Sequence, residues 1–547
     1  MAFGLLALIA INLGLFVAQR LLFRPPKNRG ADWTHPTSEE GRTVPVLWGT
    51  AEMAPNTVWC GNLFKKKEGS IFRYYASMHH IFCFGLVNEV VDYSFDGKSC
   101  RNHHLTHPWE GLPSDPVMED ALNPVAMALD PLLPIEIDLH GDQQRKENAS
   151  PAMFGGNQQG GGIAGNIAFY FGSDSQPEDA FLAAGVSGVN AAAYGDAEVS
   201  NWPRIAYARM GGPTDAAGFY QGTSATAYPF RAVLRRTHWW EGSTSPLGQT
   251  NAEATIRADA NPAEILYDLH TNPYYGMGIP DTLLDMPSFE AAAVTLRDEF
   301  ISPTIQGFGL SVLLTTPTKA ETVIRSILDH IDASLAKDPV TGLVRLKLIR
   351  ADYDPDTILV IDKMNSRDLS YTPSEWRTTV NTVHVTYNRF INTTQRRGME
   401  PGIATTQGSA NFQDTGSERT ATIDMPYISD PDVAQLVAER ERRMRGVPLR
   451  KAKWKMTRAG YRLMQGDAVK VNWPLLGIDS MIVRITSVDY GTFADSLITI
   501  EGVEDIFSVT QPIQVTPAES GFAEQEVPVP PPVDDELFVD WGFEAYL

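Results

Sequence analysis

Apolar residues in this 547-residue chain change period from region to region. From Arg42 to Asp96 they alternate. Val44, Val46 and Trp48 fall on one face, and Tyr75, Ser77, His79, Ile81 and Cys83 form a second period-two run. This spacing predicts half-buried strands, with breaks at Gly49, Gly61, Gly69 and Gly85. Asp96-Gly97 signals a hairpin. Successive strand side chains point oppositely, so His79, His80 and Cys83 are expected as a mixture of core and surface residues.

A helical period takes over at Asn261. Asn261 is a good N-cap, Pro262 fits the first helical position, and Glu264 is placed to reach back to the cap. Ile265, Leu266 and Leu269 supply the buried stripe. Asn272-Pro273 ends the helix, because a residue before proline avoids helical angles. Gly276 and Gly278 then permit a bend over which Tyr274 and Tyr275 pack. Three further helices are predicted. One runs from Ser288 to Phe300 and one from Lys319 to Leu335, the latter with a Thr318/Glu321 capping box and Val323, Ile324, Ile327, Leu328 and Ile331 on one face. The third runs from Asp430-Pro431 to Gly446, a C-cap. Strands are expected at Asn166–Gly172, Tyr228–Thr237, Leu343–Arg350, Trp376–Asn388, Met481–Tyr490 and Ser496–Val503.

Little chemistry is superposed on this architecture. Cys100, His103, His104 and His107 are the one local group with metal-ligand chemistry, but their spacing fits no standard zinc module and Pro108 marks a loop. They are read as exposed loop residues, and no metal or cofactor is expected. Asp352, Asp354 and Asp356 lack the glycine and glutamate of a calcium loop. The glycine-rich Gly155–Gly165 lacks the lysine of a phosphate loop and precedes a strand. Neither HExxH nor GxSxG occurs, and Cys60, Cys83 and Cys100 sit in strand or loop contexts. An enzyme is therefore not expected. Three cysteines do not make a disulfide framework.

Charge narrows the class further. The net charge is −21, from 45 basic and 66 acidic residues. A binder held by phosphate contacts needs a basic footprint, so specific nucleic-acid binding is not expected. Such a surface suits DNA sliding past. Nine basic residues lie between Arg440 and Arg458, read as a complemented helix end followed by an exposed strand face. The two ends differ from the rest. Met1–Gln19 carries no charge and is long enough to span a bilayer; Gly4 and Gly14 would let helices approach closely, so Leu5, Leu8, Ile9, Leu15 and Phe16 are candidates for an oligomer interface. Gly521–Leu547 has seven acidic and no basic residues. Its VPVPPP run is an extended spacer, and Phe538, Trp541, Phe543 and Tyr546 are partner-docking candidates.

Four stretches in order carry a resemblance. They are EEGRTVPVLWGTAEMAPNTVWCG (Glu39 to Gly61), YYASMHHIFCFGLVNEVVDYSFDGK (Tyr74 to Lys98), NPAEILYDLHTNPYYGMGIP (Asn261 to Pro280) and the block from Tyr461 to Phe507. The chain resembles the tail-hub family of long-tailed bacteriophages, the lambda-type tip attachment hubs. The resemblance implies a multidomain α+β protein: tail-tube-like β-barrel domains, an inserted β domain, a helix-on-sheet domain and an extended C-terminal segment. The corresponding division is 1–24, an apolar helix; 25–107, a first hub β-domain; 108–240, an inserted β-rich domain; 241–375, an α+β domain; 376–510, a second hub β-domain with one helix; and 511–547, the Pro-rich acidic and aromatic segment. It further implies a homotrimer made in the host cytoplasm and placed at the distal tail tip of the virion, with Leu5, Leu8, Ile9, Leu15 and Phe16 at the trimer interface or lining the lumen. Implied neighbours are the distal tail or tail-tube protein, the tape-measure protein and a tail fibre or receptor-binding protein, with DNA passing through and transient host-envelope contact. Because the chain ends soon after the last matching block, receptor contact is expected on a separate protein. The competing expectations are a tail-associated cell-wall hydrolase and a membrane-anchored envelope protein using Met1–Gln19.

Overall fold

The computed structural model describes residues 41–68, 71–99, 135–138, 163, 165–179, 201–211, 218–223, 225–302, 305–372, 379–392, 397–408, 417–492 and 496–508. The fold is α+β and built from several sheets, and among the described residues the α-helices lie between Asn251 and Gly446. The first ten strands are β1 (Val46–Met53), β2 (Asn56–Glu68), β3 (Ile71–Phe84), β4 (Glu89–Phe95), β5 (Lys98–Ser99), β6 (Ile135–Asp138), β7 (Asn166–Phe171), β8 (Ile205–Met210), β9 (Phe219–Tyr220) and β10 (Phe230–Arg236). With a later strand they form one eleven-stranded sheet, ordered β5-β4-β10-β1-β3-β8-β7-β6, with β2 and β9 also paired to β3. The expected division at residues 107/108 runs through this sheet, whose strands come from both sides of it. The Asp96-Gly97 turn forms as read. Both residues have positive φ (52° and 73°), the type I′ requirement, and β4 pairs with β5 across them.

The middle of the chain opens with α1 (Asn251–Ala254), β11 (Thr255–Ile256) and β12 (Asp259–Ala260). Next comes α2 (Pro262–Thr271), where Asn261 accepts from the Ala263 amide and Pro262 sits in the first turn. Ile265, Leu266 and Leu269 are buried as expected. Glu264 does not close the cap; it is buried and accepts a hydrogen bond from the Ser245 hydroxyl. Then follow α3 (Met286–Asp298), β13 (Phe300–Ser302), β14 (Ile305–Gln306), β15 (Val312–Leu314) and α4 (Ala320–Ile331). Helix α3 starts two residues before Ser288, whose hydroxyl donates back to the Asp285 carbonyl. Helix α4 is shorter than predicted at both ends. The Thr318 hydroxyl donates to the Thr316 carbonyl rather than capping. At the other end Asp332 takes a left-handed conformation (φ 53°), which stops the helix. Residues Ala333–Lys337 become β16, paired with β17 (Val344–Leu348).

The remaining strands are β18 (Val360–Ile361), β19 (Ser366–Thr372), β20 (Thr382–Asn392), β21 (Arg397–Gln407), β22 (Thr420–Asp424), β23 (Lys451–Thr457), β24 (Ala468–Trp473), β25 (Ile478–Asp489) and β26 (Leu497–Glu504), with α5 (Pro431–Gly446) before β23. Asp430 caps α5 as predicted, accepting from the Asp432 and Val433 amides; Gly446 is the last helical residue and Val447 the C-cap. Strands β18-β24-β25-β26-β23-β19 form a six-stranded sheet, and β21-β20-β22 a three-stranded one. The sequence division at 375/376 is also crossed: β18 and β19 join the late sheet, while α5 and β20 share a core with α2, α3 and α4.

Candidate functional site

Strand β1 is where the large sheet meets the helical middle. It pairs with β10 along Gly49–Met53 and with β15 along Val46–Trp48, and it makes one parallel pair with β3. Its Leu47 faces the core inside the sheet, whereas Val46 and Trp48 belong to the core built from α2 to α5. An eight-residue strand thus contributes to two hydrophobic interiors.

Two buried carboxylates fasten this junction. The first is Asp268 on α2. Its Oδ2 accepts from the Trp48 indole N–H at 2.9 Å and from the Tyr275 hydroxyl at 2.6 Å. Its Oδ1 accepts from the Asn272 side chain at 3.2 Å. Arg236, at the end of β10, is fully buried beside it. Its guanidinium donates to the Leu86 carbonyl (3.1 Å), the Leu47 carbonyl (2.5 Å) and the Tyr275 oxygen (3.3 Å). It also lies 5.4 Å from the Trp239 ring and 5.9 Å from the Trp48 ring. The bend predicted after α2 therefore has a purpose. Tyr275 packs edge-on against Trp48 and Phe84, and burial pushes its hydroxyl pKa up. Tyr274 turns outward instead, under the Arg204 guanidinium at 5.1 Å. Gly85 is required here: its φ is 95°, and a Cβ would lie 2.4 Å from the Arg236 guanidinium.

The second carboxylate is Asp259 on β12. The Ser311 hydroxyl donates to it at 2.5 Å, and the Ser429 hydroxyl at 2.6 and 2.7 Å. Ser311 in turn accepts from the Thr50 amide of β1 at 2.8 Å. Burial pushes the Asp259 carboxyl up from its ordinary value, with the serine hydroxyls opposing. The hydroxyls are engaged as donors to this carboxylate. The arrangement ties β1, β12 and the approach to α5 together and does not form a nucleophile with a base.

His79 and His80 are both buried, contrary to the expected mixture of core and surface. The reason is that β3 lies inside the sheet and both of its faces are covered. Ile81, Ala168, Tyr170 and Tyr207 form a small second core on one side. His79 sits edge-on to Tyr207 at 4.4 Å and Trp202 at 5.4 Å; the His80 Nδ1 lies 3.1 Å from the Thr57 hydroxyl. Burial pushes both imidazoles down to about 3. Cys83 is buried and Cys60 partly so, and burial raises the Cys60 thiol to about 11.

The basic run closes on itself. Arg442 and Arg443 pair with Glu439 (2.5 and 3.0 Å), and Arg445 with Glu441 (3.2 Å). Arg450 pairs with Glu504, Lys453 with Glu501 at 2.6 Å, and Lys455 with Asp368 at 3.3 Å. Asp352, Asp354 and Asp356 are exposed, with Asp354 accepting from the Asp356 amide in a local turn. Among the described residues, no three His, Cys, Asp or Glu side chains are grouped to hold a metal ion. Also among them, no helix is long and apolar enough to cross a membrane. Cys100, His103, His104 and His107 lie outside the described residues, as do Leu5, Leu8, Ile9, Leu15, Phe16, Phe538, Trp541, Phe543 and Tyr546.

One surface stands apart. Strands β2 and β3 form a long hairpin, paired from Asn56↔Ile81 out to Glu68↔Ile71. Toward its tip Leu63 (47%), Phe64 (48%) and Ile71 (39%) are exposed, beside exposed Lys65, Lys66 and Lys67. Among the described residues β2 pairs with β3 alone. Alternation foretold the strands.

Residues 319–488, from the start of α4 through most of β25, match a family model described as "Putative phage tail protein". This region of the chain is therefore similar to phage tail proteins. No curated protein matches the chain. Among solved structures, a chain of the virion of the native gene transfer agent particle is 15% identical, covering 94% of this chain and 99% of that one, with a TM-score of 0.48. A tail protein from Neisseria meningitidis MC58 is 9% identical over 50% of this chain and 74% of that one, TM-score 0.30. The 43 kDa tail protein of prophage MuSo2 from Shewanella oneidensis is 14% identical over 37% and 59%, TM-score 0.25.

Proposed function

We propose that the protein is a structural hub at the distal end of a phage-type tail, assembled as a homotrimer. It joins the tail tube to receptor-binding parts and gates the passage of DNA. The observation that carries this reading is the family match over residues 319–488. Two physical features support it. The nine basic residues between Arg440 and Arg458 are largely paired with carboxylates of the chain, and the net charge of −21 repels a passing phosphate backbone. The hairpin of β2 and β3 presents the exposed apolar side chains Leu63, Phe64 and Ile71, a surface suited to assembly.

In this reading the tube protein and the tape-measure protein meet the hub from the tail side, and a fibre or receptor-binding protein meets it from the other. Leu5, Leu8, Ile9, Leu15 and Phe16 line the trimer interface or lumen. Phe538, Trp541, Phe543 and Tyr546 anchor a docking segment. The chain does no covalent chemistry; its work is mechanical.

Immunogold labelling of particles tests the position, and light scattering of the purified chain tests the trimer. Gold at the tail tip and a scattering mass three times that of the chain are expected. Label confined to the capsid, or particles that assemble complete tails without this chain, would overturn the reading.

A further inference from the structure

We propose that the six-stranded sheet late in the chain swings as one body against the helical middle, and that a small polar latch between β17 and the approach to β24 holds it closed. This goes beyond the hub reading and does not rest on it, since the movement belongs to the single chain.

The first observation is a division of cores. Ile361, Trp454, Met456, Val469, Val483 and Ile500 fill the interior of the six-stranded sheet, together with other side chains of the same body. The core of α2 to α5 takes in Leu346 and Leu348 of β17 and Val383 and Val385 of β20. Strand β1 lends side chains to two interiors; among the described residues no strand of the late sheet does so. A body with its own interior is held to its neighbour only by what lies in the seam. A small polar seam leaves relative movement as the default.

The second observation is the make-up of that seam. Lys347 Nζ on β17 reaches Asp467 Oδ1 at 2.7 Å, with both side chains partly exposed (25% and 23%). The Ser334 hydroxyl of β16 donates to the Gln465 carbonyl at 3.3 Å. Arg484 of β25 donates across to the Arg350 carbonyl at 2.8 Å, while its bonds to the Gly466 carbonyl (3.0 Å) and to Asp505 (2.8 Å) stay within its own body. Gly466 permits the close approach: its φ is 90°, and a Cβ would lie 2.7 Å from the Ser334 hydroxyl. These contacts are polar and cluster around residues 465–467. Unfilled space lies beside them. A cavity of about 260 Å³ is lined by Lys347, Tyr353, Leu359, Leu463, Asp467 and Arg484, among others, so the seam is not packed as an interior is.

The connectors supply the hinge. In the first, Ala351 and Asp352 are exposed. Arg350 before them is bound to Glu299 of the middle at 2.9 Å, and Leu359 after them accepts from the Lys470 amide of β24 at 3.0 Å. Tyr353, whose ring lies 5.3 Å from the Arg484 guanidinium, travels with the sheet. In the second, Val447 is exposed between α5, which packs in the middle, and Arg450, which pairs with Glu504 of the sheet. A third passage runs through residues 373–378, which lie outside the described residues. Three passages of chain restrict the movement to a swing about a few connector residues.

The test uses the full chain. Nitroxides are placed at Thr322 on α4 and Ser480 on β25, both exposed, through a ketone-bearing non-natural residue that leaves the cysteines untouched. Labelled chain is diluted into unlabelled chain so that only distances within one copy are read. Pulsed electron paramagnetic resonance should show one main distance and a minor longer one. The longer population should grow as salt is raised from about 0.1 M to about 1 M, because the latch is partly exposed to screening. Lys347→Glu, which sets a second negative charge against Asp467, should make the longer distance the main one while the circular dichroism spectrum stays native. A single distance in the unmodified chain, indifferent to salt, would overturn the proposal, whether or not the variant folds. So would a natively folded Lys347→Glu chain with the distances of the parent. Neither result touches the hub reading, which particles decide.

Discussion

Asp268 and Asp259 are both buried carboxylates beside β1, yet they are satisfied by different means. Asp268 receives an indole N–H, a phenol and an amide, with the Arg236 guanidinium one hydroxyl away. Asp259 receives two serine hydroxyls, and its carboxyl is pushed up by burial. The first is a charged network whose members lie on β1, β10, α2 and the loop after α2. The second is a polar clasp that a neutral group of the same shape can hold. The difference teaches that burial alone does not decide what a carboxylate contributes; the presence of a buried cation does.

The largest expected effect comes from removing that cation. Arg236→Met leaves the Leu47 and Leu86 carbonyls without this donor and Asp268 without its counter-charge. A loss of about 3–5 kcal/mol is expected in denaturant unfolding, as for breaking a buried ionic network by one partner. Next comes the direct comparison. Asp268→Asn turns an acceptor for two strong donors into a half-donor and should cost about 2–3 kcal/mol at pH 7. Asp259→Asn keeps two hydroxyl partners that can rotate, and should stay within about 1 kcal/mol. The same substitution sharpens the contrast with pH. A carboxyl raised in the folded state stabilises below its unfolded value, near 3.8, and that contribution is lost as pH rises through the folded value. Asp259→Asn should remove this decline. Equal costs for the two asparagine variants would erase the distinction drawn here.

The smallest effect at pH 7, but a visible one in acid, belongs to His330. Its Nδ1 faces the Ser326 carbonyl at 2.6 Å, its Nε2 accepts from the Tyr427 amide at 3.3 Å, and burial holds it down to about 4. The unfolded chain binds a proton below about 6.5 while the folded chain does not. Stability is therefore lost as pH falls from about 6.5 toward 4, by at most about 1.4 kcal/mol per pH unit for this group. His330→Gln should flatten the slope of melting temperature against pH across that window. His79 and His80, held lower still, add to the same trend and should leave a residual slope.

Much of the local structure was legible. Asn261-Pro262 and Asp430-Pro431 announced their helices because caps act within three residues. Asp96-Gly97 announced its turn for the same reason. What escaped was everything settled by distant partners. Ala333–Leu335 looked helical until Val344–Leu348 offered the strand from Ala333 to Lys337 a ladder. Glu264 had a cap to serve until Ser245 took it. His80 is inside because the Phe230 ring of β10 packs 5.4 Å from its own and the Thr57 hydroxyl meets its Nδ1, partners that alternation along β3 does not reveal. The network of Trp48, Arg236, Asp268 and Tyr275 joins positions up to 227 residues apart, and no spacing rule reaches that far.

The triple pairing of β1 also sets a schedule for biosynthesis. Val46 meets its antiparallel partner Leu314 only after 268 more residues have been made. At roughly 5–20 residues per second, the ribosome supplies that partner on the order of 13–54 s later. For most of that interval Trp48, which ends up wholly enclosed, has neither β15 nor Asp268 of α2, which follows it by 220 residues. The N-terminal part of this chain must wait on the nascent polypeptide with a sticky strand exposed, and a chaperone that holds such segments would act on it during that wait.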